Sequence, residues 1–233
     1  MRFVFEQVRV GGDRNFGYLL GDRTVGEGIL VDPSYDPGAL VARAKAQGLR
    51  ITAILNTHGH ADHSNGNAEA QVLTGAPVWG GPGHPGPLDR VLEDGAEIPL
   101  GAWRLGVWQV PGHCPDHLAF LVEGPAGSRT DGPAGSRAGG LAAGLTGDLL
   151  FVGKVGGTPG DREARTEWDS LQRLLREWPA HATLWPGHDY GARPSSTLAW
   201  ERETNPFLLC PDVEAFIRLK GEWPSFKAAH GLR

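Results

Sequence analysis

Three histidines and an aspartate crowd the stretch Thr57-His58-Gly59-His60-Ala61-Asp62-His63. Imidazole and carboxylate are the usual ligands of zinc, iron and manganese. In an extended loop His58 and His60 point to the same side, because side-chain direction alternates. Asp62 and His63 then fall at a turn, able to face a second point. One loop can thus serve two metals. Two metals need more donors, and three further places supply them. Pro111-Gly112-His113, Thr146-Gly147-Asp148 and Pro186-Gly187-His188 each set a donor beside a glycine and an apolar run. Each can project a ligand from a rigid sheet into a shared cleft.

The elements that must hold these donors are legible as runs and breaks. Phe16–Leu20 and Gly28–Asp32 read as short strands joined by a turn containing Gly21, Asp22 and Gly26. Residues 38–47 have a helical pattern stopped by Gly48, and Ile51–Leu55 is a buried strand leading into the histidines. Asn67–Leu73 reads as a short helix closed by Gly75 and Pro77. Trp103–Val110 and Leu118–Val122 read as strands, as does Ala182–Trp185. Helices are expected over Glu163–Trp178 and Asp212–Lys220, the second started by Pro211. Residues 124–129 and 132–137 repeat the text GPAGSR. A Gly/Ser/Pro-rich segment of that kind buries no core, so 124–140 is expected to be a mobile surface insertion and passive spacer.

Composition excludes several classes. A formal charge of −5 gives no electrostatic case for nucleic acid or an anionic membrane. No window offers the ~18 apolar residues of a membrane span. The start, Met1-Arg2-Phe3-Val4-Phe5-Glu6, lacks the apolar core of a secretory signal. Cys114 and Cys210 have no framework spacing, so a reduced, cytoplasmic protein is expected. Gly81-Pro82-Gly83-His84-Pro85-Gly86 matches a dinucleotide turn only on paper, since no helix follows and prolines interrupt it. Phe151-Val152-Gly153-Lys154 lacks the Ser or Thr that a P-loop requires after lysine. No GxSxG elbow is present.

The ordered set THGHADH (57–63), PGH (111–113), TGD (146–148) and PGHDY (186–190) resembles the metallo-β-lactamase fold hydrolases across nearly the whole chain. The resemblance implies an α/β (α+β) fold: a four-layer αββα sandwich, two mixed sheets face to face with helices outside. It implies a catalytic domain over residues 1–192 and a helical tail over 193–233 packed on it. His58, His60 and His113 would form a first metal site; Asp62, His63 and His188 a second; Asp148 would bridge. Asp62 and Asp148 are the carboxylates expected to carry the chemistry, with a metal-bridging hydroxide as nucleophile.

Within the superfamily, Pro194-Ser195-Ser196-Thr197-Leu198 and Thr204-Asn205-Pro206-Phe207 resemble the end of glyoxalase II, a hydroxyacylglutathione hydrolase. The HADH variant, His188-Asp189-Tyr190 and the Glu-Arg and Asn-Pro elements also resemble persulfide dioxygenases. Both act on glutathione-linked sulfur substrates. The chain departs from both where they carry Cys-Gly-Arg or Cys-Gly-Lys; here the text is Lys154-Val155-Gly156-Gly157-Thr158. The resemblance therefore implies a thioester hydrolase with two divalent ions (zinc, iron or manganese), glutathione left open as carrier. The alternative is a mononuclear iron dioxygenase built on His58, His113 and Asp148; a third is a metal-binding module without catalysis. Tyr190 and Lys154 are candidate substrate contacts. His117 is expected beside the ligands or at the surface, and Asp32 and Cys114 are expected to be structural. No partner beyond a small-molecule substrate is implied, and nothing in the text fixes the oligomeric state.

Overall fold

A computed structural model describes residues 3–125 and 142–230. Its first sheet carries β1 (Phe3–Gly11), β2 (Asn15–Asp22), β3 (Glu27–Val31), β4 (Arg50–Leu55), β5 (Val78–Gly80) and β6 (Arg90–Val91), in that order. The first three run antiparallel and the rest parallel. The second sheet runs β14 (Ser196–Thr197), β13 (Thr183–Pro186), β10 (Ala142–Gly147), β9 (Leu118–Glu123), β8 (Trp103–Gln109), β7 (Glu97–Leu100). Only β10 and β13 pair parallel there. The predicted αββα sandwich of two mixed sheets is thus the observed fold.

Strand text explains the layering. Strands covered on both faces read as continuous apolar runs, with alternate residues going to opposite layers. In β2, Tyr18 and Leu20 enter the cluster between the sheets, while Leu19 faces the outer one. In β9, Leu118, Phe120 and Val122 face inward, and Ala119 and Leu121 face the helices. Leu40, Val41 and Ala44 of α1 (Pro37–Ala46) cover the first sheet. Leu171 and Leu174 of α4 (Asp161–Glu177) and Phe216 of α6 (Val213–His230) cover the second.

The remaining helices are short: α2 (Ala61–Ser64), α3 (Asn67–Thr74) and α5 (Leu198–Thr204). Gly75 closes α3 in the left-handed conformation at φ 69°, as its place after the apolar pattern predicts. Three expectations are corrected. The helix expected over Glu163–Trp178 starts at Asp161, because Asp161 and Glu163 both suit a first turn. The tail contains α5, which its mixed text concealed; Thr197 caps it by accepting from the Trp200 amide at 3.2 Å. And α6 runs past Lys220 through Gly221 and Pro224. Its start is set by Asp212, which accepts from the Ala215 amide at 2.8 Å, rather than by Pro211. Beyond Gly221, Trp223 packs on Phe207 at 4.9 Å between centroids, an anchor that sequence periodicity does not reveal. From residue 126 to 140 the expected spacer lies outside the described residues. No helix among the described residues is long and apolar enough to cross a membrane.

The topology brings strand ends to one edge. β3 and β4 are parallel neighbours, so Asp32 and Thr57-His58 emerge side by side, and the Asp32 amide donates to Leu55 at 2.9 Å. In the second sheet β10 and β13 do the same for Asp148 and His188, with Gly187 donating to Gly147 at 2.8 Å. Two links staple the sheets there: Phe16 donates to Gly187 (2.8 Å) and Leu118 to Thr57 (2.6 Å). Carboxyl ends of parallel strands are where such sheets place ligands.

Candidate metal centre

All seven predicted donors meet at this edge. His58 follows β4 directly; His60 precedes α2, whose single turn carries Asp62 and His63. His113, Asp148 and His188 follow β8, β10 and β13. His58 Nε2 and His113 Nε2 each lie 3.0 Å from His60 Nδ1. His63 Nε2 lies 3.2 Å from His188 Nε2. Asp62 Oδ2 is 3.4 Å from His188 Nε2 and 3.7 Å from His63 Nε2. Asp148 stands between the two groups, with Oδ2 3.3 Å from His188 and 3.6 Å from His113, and Oδ1 3.4 Å from His63. His58, His63, Asp148 and His188 are buried, whereas His60, Asp62 and His113 reach solvent, so the centre opens on their side.

The outer ring nitrogens decide what the inner ones present. His63 Nδ1 donates to Asp32 Oδ2 at 3.0 Å, His113 Nδ1 to the Gly157 carbonyl at 2.7 Å, and His188 Nδ1 to the Asp13 carbonyl at 2.9 Å. The Thr57 hydroxyl donates to Asp32 Oδ2 at 2.6 Å, and its oxygen accepts from His58 Nδ1 at 3.1 Å. A neutral imidazole has one N–H. In their neutral forms His58, His63, His113 and His188 therefore turn Nε2 lone pairs toward the centre. Facing lone pairs repel unless a metal ion or a proton lies between them. Among the described residues, buried Asp148 Oδ1 has no hydrogen-bond partner, with His63 Nε2 nearest it among the donors at 3.4 Å, and a cation would satisfy it. The residues present thus fit divalent metals, and fixed outer nitrogens are what metal-binding histidines require.

The charges point the same way. Burial opposes the carboxylate of Asp148, yet His63 and His188 outweigh it and hold the group well below the usual range. Burial also opposes protonation of His188, but hydrogen bonds to Asp148 and Asp62 lift it to about 9. His63 is raised against its burial by Asp148 and Asp32. Burial, with His63 adding to it, lowers His58. The second group thus attracts cations, and protons compete with metals for it.

Several supporting residues escaped the sequence reading. Asp32 was expected to be merely structural; it touches His63 and, through Thr57, controls His58. Its signal was positional: an aspartate ending an apolar strand next to the histidine strand. Asn15 donates to both the carbonyl and Oδ2 of Asp62 at 3.0 Å, and Ser34 also donates to that carbonyl. Asp116 Oδ2 accepts from the Gly59 amide at 2.7 Å. These are single polar residues with no motif around them.

Cys114 is buried, and its sulfur lies within 4.8 Å of the His58 and His60 donors. Burial, then Asp116, pushes its thiol up, so it is a protonated wall. Tyr190 stacks on His188 at 4.6 Å and 4°, its hydroxyl donating to Asp13 at 2.7 Å. Lys154 Nζ lies 3.8 Å from the Tyr190 ring centroid. Burial, then Lys227 and Arg14, lowers this lysine to about 8. His84 pairs locally with Gly86, and His181 is exposed; neither joins the cluster.

His117 is fully buried against His58, and its Nε2 accepts from the Asp148 amide at 3.0 Å. Burial, then His113, lowers it to about 3, so it stays neutral. His117→Leu strands that amide and is expected to cost about 1–3 kcal/mol. Urea unfolding of the metal-free protein measures this; an unchanged midpoint would show that the bond carries no weight.

The sequence pattern of the metallo-beta-lactamase superfamily matches residues 10–127. A hydroxyacylglutathione hydrolase of Anaeromyxobacter dehalogenans (strain 2CP-C) is 36% identical over 92% of this chain and 89% of its own. The chain belongs to the metallo-beta-lactamase superfamily. A second superfamily relative, the mitochondrial persulfide dioxygenase ETHE1 of Homo sapiens, is 29% identical over 95% of this chain and 80% of its own. The solved structure of TTHA1623 in a di-iron-bound form superposes with a TM-score of 0.65 at 30% identity, covering 87% of this chain and all of that one. This di-iron member and the donor set here together support an enzyme that uses divalent metal.

Proposed function

We propose that the chain is a two-metal hydrolase of thioesters. His58, His60 and His113 would hold one ion, Asp62, His63 and His188 the other, and Asp148 would touch both. When bound, such a pair supplies an activated water and an electrophile for the carbonyl oxygen. The residues do the rest. Asp32, Gly157 and Asp13 keep the imidazoles in the tautomer that presents Nε2. A thiolate leaves without needing a proton, which suits a centre whose nearest thiol and phenol hold theirs. Lys154 and Tyr190 flank the centre as contacts for the substrate, the ammonium suited to an anionic group.

Two cavities flank the loop from Gly156 to Pro159. One of about 410 Å³ is walled by His60, His113 and Cys114; the other, about 420 Å³, includes Lys154 and Lys227. A thioester has two dissimilar halves, and both volumes lie in the range of small-molecule sites. The observation that carries the reading is the second donor group. A mononuclear centre on His58, His113 and Asp148 would leave His63 Nε2 and His188 Nε2, opposed at 3.2 Å, with only protons shared with Asp62 and Asp148 in place of a metal ion.

The second reading, a mononuclear iron persulfide dioxygenase, is favoured by the human relative. Elemental analysis of purified protein beside two assays separates them: hydrolysis of acyl-thiol esters, and oxygen uptake with glutathione persulfide. Two metals per chain with hydrolysis is the expected result. One iron with oxygen uptake would replace the first reading with the second.

A further inference from the structure

We propose that Lys220, on the tail helix α6, positions His113 by gripping the Gly156–Gly157 turn; this rests on His113 being a ligand of the first ion. Lys220 Nζ donates to the Gly156 carbonyl at 2.7 Å. The next carbonyl, Gly157, takes the His113 Nδ1 hydrogen at 2.7 Å. The turn has no slack: a Cβ on Gly156 would collide with the Asp148 carbonyl and come within 3.1 Å of His113 Nδ1. Lys220 is itself held by an ion pair with Glu167 of α4. Glu167 also sets the other side of His113. Gly112, at φ 140°, packs its Cα against the Glu167 backbone and Cβ so tightly that no side chain fits. Ring and backbone of His113 are therefore both referenced to one buried pair.

Stability does not account for that pair. The Glu167 side chain is wholly buried and Lys220 is 10% exposed, yet Glu167 Oε1 has no hydrogen-bond partner among the described residues. A buried ion pair with an unsatisfied oxygen is no more stabilising than well-packed apolar residues of the same volume. What an apolar pair cannot do is hold the Gly156 carbonyl. The tail thus reaches the centre through a side chain that no motif around the histidines announces.

Three variants test this: Lys220→Met, Lys220→Arg, and the double Glu167→Leu/Lys220→Met, which removes both charges and keeps the packing. Cobalt titration against a competing chelator reads each ion's affinity, and the His113 Nδ1 proton resonance reads the ring's hydrogen bond. Lys220→Met and the double variant are expected to bind one ion about 10–100-fold more weakly, as loss of an outer contact does. The other ion should stay within twofold. Lys220→Arg should recover most of the loss, and the His113 resonance should shift or broaden only in the two methionine variants. Wild-type affinity for both ions in the double variant would overturn the proposal. So would equal loss of both ions together with the thermal transition, which would make the pair general core. If the wild-type chain takes up no cobalt, the ligand assignment fails instead, and the His113 resonance alone decides whether Lys220 positions the ring.

Discussion

Asp148→Ala is expected to remove both ions and lower turnover at least about a thousandfold, the upper end for loss of one preorganised electrostatic group. Asp148 contacts donors of both groups, with His188, His63 and His113 all within 3.6 Å of its oxygens. Without it, Asp62 is the sole carboxylate among the six remaining donors, and two dications would face five neutral imidazoles. The fold itself should tolerate the change. In the metal-free protein Asp148 is balanced by His63 and His188, which it holds protonated. Once it is gone, those rings lose their charge rather than remain buried and unpaired. The wild-type melting temperature should therefore rise on adding zinc or manganese, by mass action on the folded state. The variant's should not, while the two metal-free proteins melt within a few degrees of each other. A metallated, active Asp148→Ala protein would remove Asp148 from the centre.

Why the donors were legible and their supports were not has a physical basis. Metal ligation constrains residue type severely, so seven histidines and aspartates beside glycines and apolar runs stand out. The sheets were legible for a related reason: stretches buried on both faces, such as Leu118 to Val122, must be apolar throughout. Asp13, Asn15 and Asp116 had no such marking, since one hydrogen-bond partner can be any of several types and can sit anywhere the fold allows; Asp32 was marked only by its place at the end of an apolar strand. Gly157 contributes a carbonyl, which every residue has. The tail was hardest. Its α6 owes its length to contacts such as Trp223 on Phe207, which oppose the local cost of Gly221 and Pro224. Long-range contacts of that kind leave no trace in a local window.

Asp32 offers the sharpest test of tautomer control, because Asp32→Asn changes one atom. In the wild type Oδ1 accepts from the Thr57 amide at 2.8 Å, and Oδ2 accepts from the Thr57 hydroxyl and from His63 Nδ1. Every neighbour donates, so a carboxylate is the group that serves all three. Asparagine must aim its NH2 somewhere. Turned toward the Thr57 amide, it sets its own N–H against that donor and leaves the pair unbonded. Turned the other way, it faces His63, which can accept only by moving its own hydrogen to Nε2, the atom that faces the centre. A protonated Nε2 of a neutral ring cannot ligate. Asp32→Asn is therefore expected to weaken the ion held by Asp62, His63 and His188 by about 100-fold, at the top of the range for an outer contact. Asp32→Ala should instead lose stability, about 1–3 kcal/mol for each buried donor left unpaired. Its His63 ring, freed of any partner, keeps access to either tautomer, so the ion should be weakened less than by asparagine. Chelator competition and urea unfolding on the two variants give both quantities. Asparagine weakening the ion less than alanine does would show that Asp32 acts by packing, not by fixing where the His63 proton sits.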